Sequence, residues 1–163
     1  MVKYAKEKSD EEIYSEVYCV FDRDTHETFE QALKIANSDK LLKAITSNPC
    51  FEYWILLHFA YTTKSFGTSG GSPYDELQPI LNKYLKDNGL PAYTKNYPHF
   101  SKIISKDRLT KACKNATTIN NNNCRDNNGS LDRERRHTQV VDLVTVLQEL
   151  AKKIHKNDFK DSC

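Results

Sequence analysis

The run Val17-Tyr18-Cys19-Val20-Phe21-Asp22-Arg23-Asp24-Thr25-His26 decides the fold class. Its first five residues are β-branched, aromatic or otherwise apolar, which suits a strand covered on both faces, as in a parallel sheet. Two carboxylates one residue apart end it. Open α/β folds place their ligands at the carboxyl edge of the sheet, and hard oxygen donors there suit a divalent cation, so Asp22 and Asp24 suggest a Mg²⁺ or Mn²⁺ site. The bland alternative is that both are turn or helix-capping residues.

Outward from this strand, Phe29, Ala32, Leu33 and Ala36 make the apolar stripe of a helix over 27–38, and 41–46 supplies a second strand. Strand, helix, strand at this spacing is a βαβ unit. The expected architecture is α/β, a small parallel sheet flanked by helices with a helical C-terminal part. Ser47-Asn48-Pro49-Cys50 forms the turn after the second strand, with Pro49 suited to the first position of a helix over 51–60. That helix is apolar nearly all round, so it should be buried on more than one side. Glu52 is its exception: either a favourable acid in a first turn or a third carboxylate beside Asp22 and Asp24. His58 reads as a core or rim histidine.

A polar segment over 9–16 has helix-compatible spacing, with Ser9 or Asp10 able to cap. The stretch 62–73, with Gly67, Gly70 and Gly71, reads as a loop without the Gly-Lys-Ser/Thr ending of a P-loop. Helices are expected over 74–88, stopped by Gly89, and over 99–117. Tyr93-Thr94-Lys95-Asn96-Tyr97 between them mixes aromatic and basic residues, as a loop contacting a phosphate backbone does, and so do ordinary solvated loops. The stretch 119–132, with its run Asn120 to Asn123, reads as a flexible polar loop. Beyond a cluster containing Arg133, Arg135 and Arg136, Val140 to Ile154 carry the stripe of a terminal helix packed on the sheet, and 156–163 a frayed tail.

The 163 residues fit one domain, 1–163. With 38% hydrophobic and 28% charged residues, no apolar run is long enough to span a membrane, and the polar N-terminal stretch does not read as a signal peptide. A net charge of +2 leaves nucleic-acid binding undecided. Five scattered cysteines without a Cys-x-x-Cys pair argue for reduced thiols in a cytoplasm rather than zinc or disulfides.

Taken together, Val20-Phe21-Asp22-Arg23-Asp24, then Phe29-Glu30-Gln31-Ala32-Leu33, then Ser47-Asn48-Pro49-Cys50-Phe51-Glu52-Tyr53-Trp54 through His58-Phe59, then Tyr93-Thr94-Lys95 resemble the RloB-like family over roughly residues 15–118. The resemblance implies a Toprim-like fold, restriction or phage-defence loci, an ATPase partner in some systems, and a metal role for Asp22, Asp24 and Glu52. Two departures stand out. Residues 1–16 do not resemble the strand and glutamate-bearing loop usual near the family's start, which implies either a late start or an impaired enzyme. In addition, Leu131 to Arg136 replace the expected Asn-Pro-x-Thr type of helix entry.

Two functions follow as expectations. One is a Mg²⁺- or Mn²⁺-dependent nuclease of DNA or RNA, with Asp22, Asp24 and Glu52 as catalytic and metal residues, Asn48 positioning a phosphate and Lys95 offsetting its charge. The other is a catalytically incomplete sensor that docks an ATPase or a phage component. An open sheet edge would also let the chain form a homo-oligomer.

Overall fold

The computed structural model describes residues 1–9, 13–24, 26–67, 71–132 and 135–158, with only the backbone described over 155–158. Asp10, Thr25, Gly70, Arg133 and residues 159–163 of the expected tail lie outside them. In chain order the elements are α1 Val2–Ser9, β1 Val17–Asp22, α2 Phe29–Asn37, β2 Leu42–Asn48, α3 Phe51–Leu57, α4 Pro73–Asp87, α5 Phe100–Ile103, α6 Lys106–Asp126, β3 His137–Thr138 and α7 Val140–Asp158. The expected α/β architecture holds. β1 and β2 run parallel in a register that sets Val17 against Leu42 and Asp22 against Ser47, and β3 joins β2 antiparallel. Among the described residues β1 is therefore an edge strand, with Val20 37% exposed. None of these helices is long and apolar enough to cross a membrane.

The period-two alternation of β1 and β2 divides the core. Cys19 and Leu42 pack with Val2, Ala5 and Ala36, beneath α1 and α2. Ile45 belongs to a larger cluster in which α3 is the hub: Tyr53 through Leu57 are buried among Leu77, Leu81 and Leu85 of α4, Ala112, Ala116 and Ile119 of α6, and Val140 and Val141 of α7. A helix surrounded in this way must be apolar all round, which accounts for its sequence.

Several sequence expectations need correction. The first helix is not over 9–16 but at Val2–Ser9, because Val2, Ala5 and Ser9 supply a buried face while 13–16 do not form helix. Ser9 ends that helix, and its hydroxyl donates to Asp39 at 2.7 Å. Pro49 does not start α3. The Asn48–Pro49 peptide is cis, Cys50 in extended conformation is the N-cap, and the helix begins at Phe51. The helix expected over 99–117 is broken at Ser105, whose hydroxyl accepts from the Arg108 amide at 3.3 Å and starts α6 afresh. The flexible loop expected over 119–132 is mostly helix, since α6 continues to Asp126. Its apolar stripe, Ala112, Ala116 and Ile119, continues into Asn123, which is itself buried. Finally, α7 docks through Val140 and Val141 with Leu143 and Val144 partly covered, whereas Leu147, Leu150 and Ile154 are exposed.

Gly67 has φ +79°, and a Cβ there would stand 2.8 Å from the Pro73 ring at the start of α4. Gly67→Ala meets both the left-handed backbone penalty and a ring that cannot swing aside. A loss of about 2 kcal/mol is expected in urea denaturation. An unchanged midpoint would mean that Gly67 is not held against Pro73.

Candidate metal centre

Register places the first candidate acid at the carboxyl edge of the sheet. Asp22 ends β1 beside Ser47, and the strand pairing continues one step further, the Arg23 amide donating to the Ser47 carbonyl at 2.8 Å and the Asp24 amide to the Pro49 carbonyl at 2.9 Å. The chain then turns sharply. Asp24 adopts φ +33°, a conformation Asp tolerates better than most residues, and its Oδ1 is buried without a hydrogen-bond partner among the described residues. From the other strand, the 48–50 turn carries α3, which places Glu52 at the same sheet edge.

These carboxylates feel one another. Burial pushes Asp22 from 3.8 up to about 6, the Phe51 amide pulls it back, and the charges of Glu52 and Asp24 raise it again, with His26 opposing them. Such like-charge crowding is what an added cation would relieve. Glu52 itself is 8% exposed and hydrogen-bonded on the protein side: the Tyr93 hydroxyl donates to its Oε1 at 3.1 Å, and the Cys50 thiol is a second partner. Burial, with Glu52 adding to it, pushes both the Tyr93 hydroxyl and the Cys50 thiol well above their usual ranges, so both stay protonated as donors. A helix-end acid free in solvent would have none of these partners.

The remaining expected residues are arranged around this edge. Asn48 closes β2 opposite His137 and is half-buried. Lys95 is exposed and holds its ammonium 5.5 Å over the Tyr74 ring, and the Tyr74 hydroxyl is in turn raised in pKa by burial and by the Glu52 charge. An open groove of about 650 Å³, lined by Val20, Asp22, His26, Thr28, Phe29 and Phe51 among others, runs beside Asp22. His58 is not part of the site. It is buried against Trp54, whose carbonyl lies 3.0 Å from its Nδ1, as its sequence context suggested.

As a test of fit, the donor set is all oxygen and one carboxylate oxygen lacks a partner, both of which suit Mg²⁺ or Mn²⁺. Against this, no three His, Cys, Asp or Glu among the described residues converge as a ready-made ligand group. Because a hard octahedral ion keeps several waters and takes only one or two carboxylates directly, the residues present fit it without a closed protein cage. No local motif in the sequence marks Tyr93 or Cys50 as part of the site. The available signal was their company: each lies two residues from a candidate, Cys50 before Glu52 and Tyr93 before Lys95.

A sequence model of the family described as RloB-like protein matches residues 1–147. The chain belongs to the RloB-like family. The match also takes in residues 1–16, the part that resembled the family least, and it runs beyond 118 through α6, β3 and the docked turns of α7. No curated protein and no solved structure matches the chain.

Proposed function

We propose that this RloB-like chain is a divalent-cation-dependent phosphodiesterase acting on nucleic acid, in the restriction or phage-defence setting that its family resemblance implies. One observation carries the reading: at the carboxyl edge of the sheet Asp22 is pushed up to about 6 by burial and by the charges of Glu52 and Asp24, and an Asp24 oxygen is buried without a hydrogen-bond partner among the described residues. Asp22 and Asp24 bind the ion, and Glu52 ligates it or orients its water. When bound, Mg²⁺ would polarise a phosphoryl oxygen and acidify water, the two demands of phosphodiester hydrolysis. Asn48 positions the phosphate, Lys95 offsets its charge from the rim, and the groove beside Asp22 admits the strand.

A second reading, a binding subunit that docks an ATPase or a phage component, is favoured by the lack of a closed ligand group among the described residues. Calorimetric titration of Mg²⁺ and Mn²⁺ separates the two. Wild type is expected to bind, and Asp22→Asn/Asp24→Asn to lose at least 100-fold in affinity, since it removes both primary ligands. Cleavage of DNA and RNA oligonucleotides, abolished in the same variant, is the second readout. Absence of binding by wild type at millimolar metal would move the assignment to the docking subunit.

A further inference from the structure

Glu52 approaches the acidic edge from a buried helix, and besides the nearby Cys50 thiol its carboxylate is held by a residue 41 positions away. Tyr93 lies between α4 and α5, yet both of its backbone groups are held by α4: its amide donates to Asn82 Oδ1 at 2.7 Å, and its carbonyl accepts from Gln78 Nε2 at 3.3 Å. Its ring is packed against Tyr97 and Phe100, with centroids 5.6 and 6.2 Å away. The hydroxyl thus reaches Glu52 Oε1 from a frame with little freedom. An ionised carboxylate only accepts hydrogen bonds, so donors at fixed points select which of its lone pairs remain for anything else.

We infer that Tyr93 is a positioning residue for the metal centre, orienting the Glu52 carboxylate so that its remaining lone pairs face Asp22 and Asp24; this rests on the cation-binding reading above. Buried tyrosines generally find some partner for the hydroxyl, so the contact alone would be ordinary. What sets this one apart is the partner, a buried carboxylate within electrostatic reach of Asp22, and the four contacts that hold Tyr93 in place. Outer groups of this kind commonly change metal affinity 10- to 100-fold when removed.

Mn²⁺ titrated into wild type, Tyr93→Phe, Tyr97→Phe and Glu52→Ala tests the inference, with thermal melts to check that each variant is folded. Tyr97→Phe is the packing control, because the Tyr97 hydroxyl donates to the Pro91 carbonyl in the same aromatic cluster and not to Glu52. Tyr93→Phe should bind Mn²⁺ about 10-fold more weakly while Tyr97→Phe binds as wild type does. In a Glu52→Ala background, where the hydroxyl has no side chain to orient, Tyr93→Phe should cause no further loss, which a merely structural tyrosine would not reproduce. Equal losses in the two phenylalanine variants, or unchanged affinity in Tyr93→Phe, would overturn the positioning role and leave the metal site standing. If wild type binds no Mn²⁺, the cation reading fails and the inference fails with it.

Discussion

Asparagine at Asp22 is expected to stabilise the metal-free protein by about 2 kcal/mol above pH 6 and to leave it unchanged near pH 4. Asp22 titrates at about 6 in the fold against an ordinary 3.8, chiefly through burial and then through the Glu52 and Asp24 charges. The folded state therefore holds this proton more tightly than the unfolded chain. The associated stability is complete below pH 3.8, shrinks as the pH rises and is gone once it passes about 6. A shift of about two pH units corresponds to about 3 kcal/mol at 1.36 kcal/mol per unit, and water reaching the half-buried side chain reduces this to about 2. Asparagine keeps the shape, carries no charge and can still accept from the Phe51 amide. Urea denaturation with a chelator at pH 4, 6 and 8 gives the difference directly. Parallel curves for the two proteins across that range would mean that Asp22 is not under strain from its neighbours.

The same pair of proteins shows whether a cation is the natural relief for that strain. A ligand that binds only the folded state, at 100 times its dissociation constant, adds about 2.7 kcal/mol. Wild type at pH 8 should recover by that amount in sufficient Mg²⁺, and Asp22→Asn should not. A metal-dependent site would then show the reversal typical of functional charge clusters: the substitution that stabilises the empty protein abolishes what fills it.

How much of this was legible in the sequence depended on whether a segment's environment repeats along the chain. β1, α2 and β2 were, because the 27–38 stripe and the apolar run of Val17 to Phe21 report directly on the faces that pack. So was the crowded setting of α3, since a helix with apolar side chains on every face needs cover on every face. That Glu52 lies within electrostatic reach of Asp22 was legible as a suggestion, since the ends of two parallel strands share an edge. The Tyr93 bond to Glu52 was not, because no local pattern encodes a contact 41 residues away. In α7 the stripe marks the helix but not its coverage: period alone does not say where the partner ends, and Leu147, Leu150 and Ile154 extend beyond it.

The asparagine-rich segment shows the opposite failure, composition overriding placement, and it supplies the prediction with the largest destabilising effect. Asparagine is a poor helix former, so a run of four reads as loop. In α6, however, the side chains take the place of strand partners. Asn120 exchanges hydrogen bonds with both backbone groups of Thr138, at 3.0 and 3.2 Å. Asn123, 4% exposed, donates to the carbonyls of Asp132 and Arg136 at 2.8 and 3.3 Å and accepts from the Asp132 amide at 2.8 Å. Asn123→Ala removes all three bonds near the start of β3, although the Asp132 carbonyl keeps its bond from the Arg135 amide at 3.2 Å. At about 1 kcal/mol for each bond, less about 0.5 kcal/mol regained in helix propensity, a loss of about 2 to 3 kcal/mol is expected. Asn121 and Asn122 are exposed, and alanine there should be neutral or stabilising by a few tenths of a kcal/mol. Opposite signs at adjacent asparagines in urea denaturation would establish that position, and not composition, governs this helix. Uniformly small effects would show the segment to be the flexible loop its composition suggests, and β3 would then need another anchor.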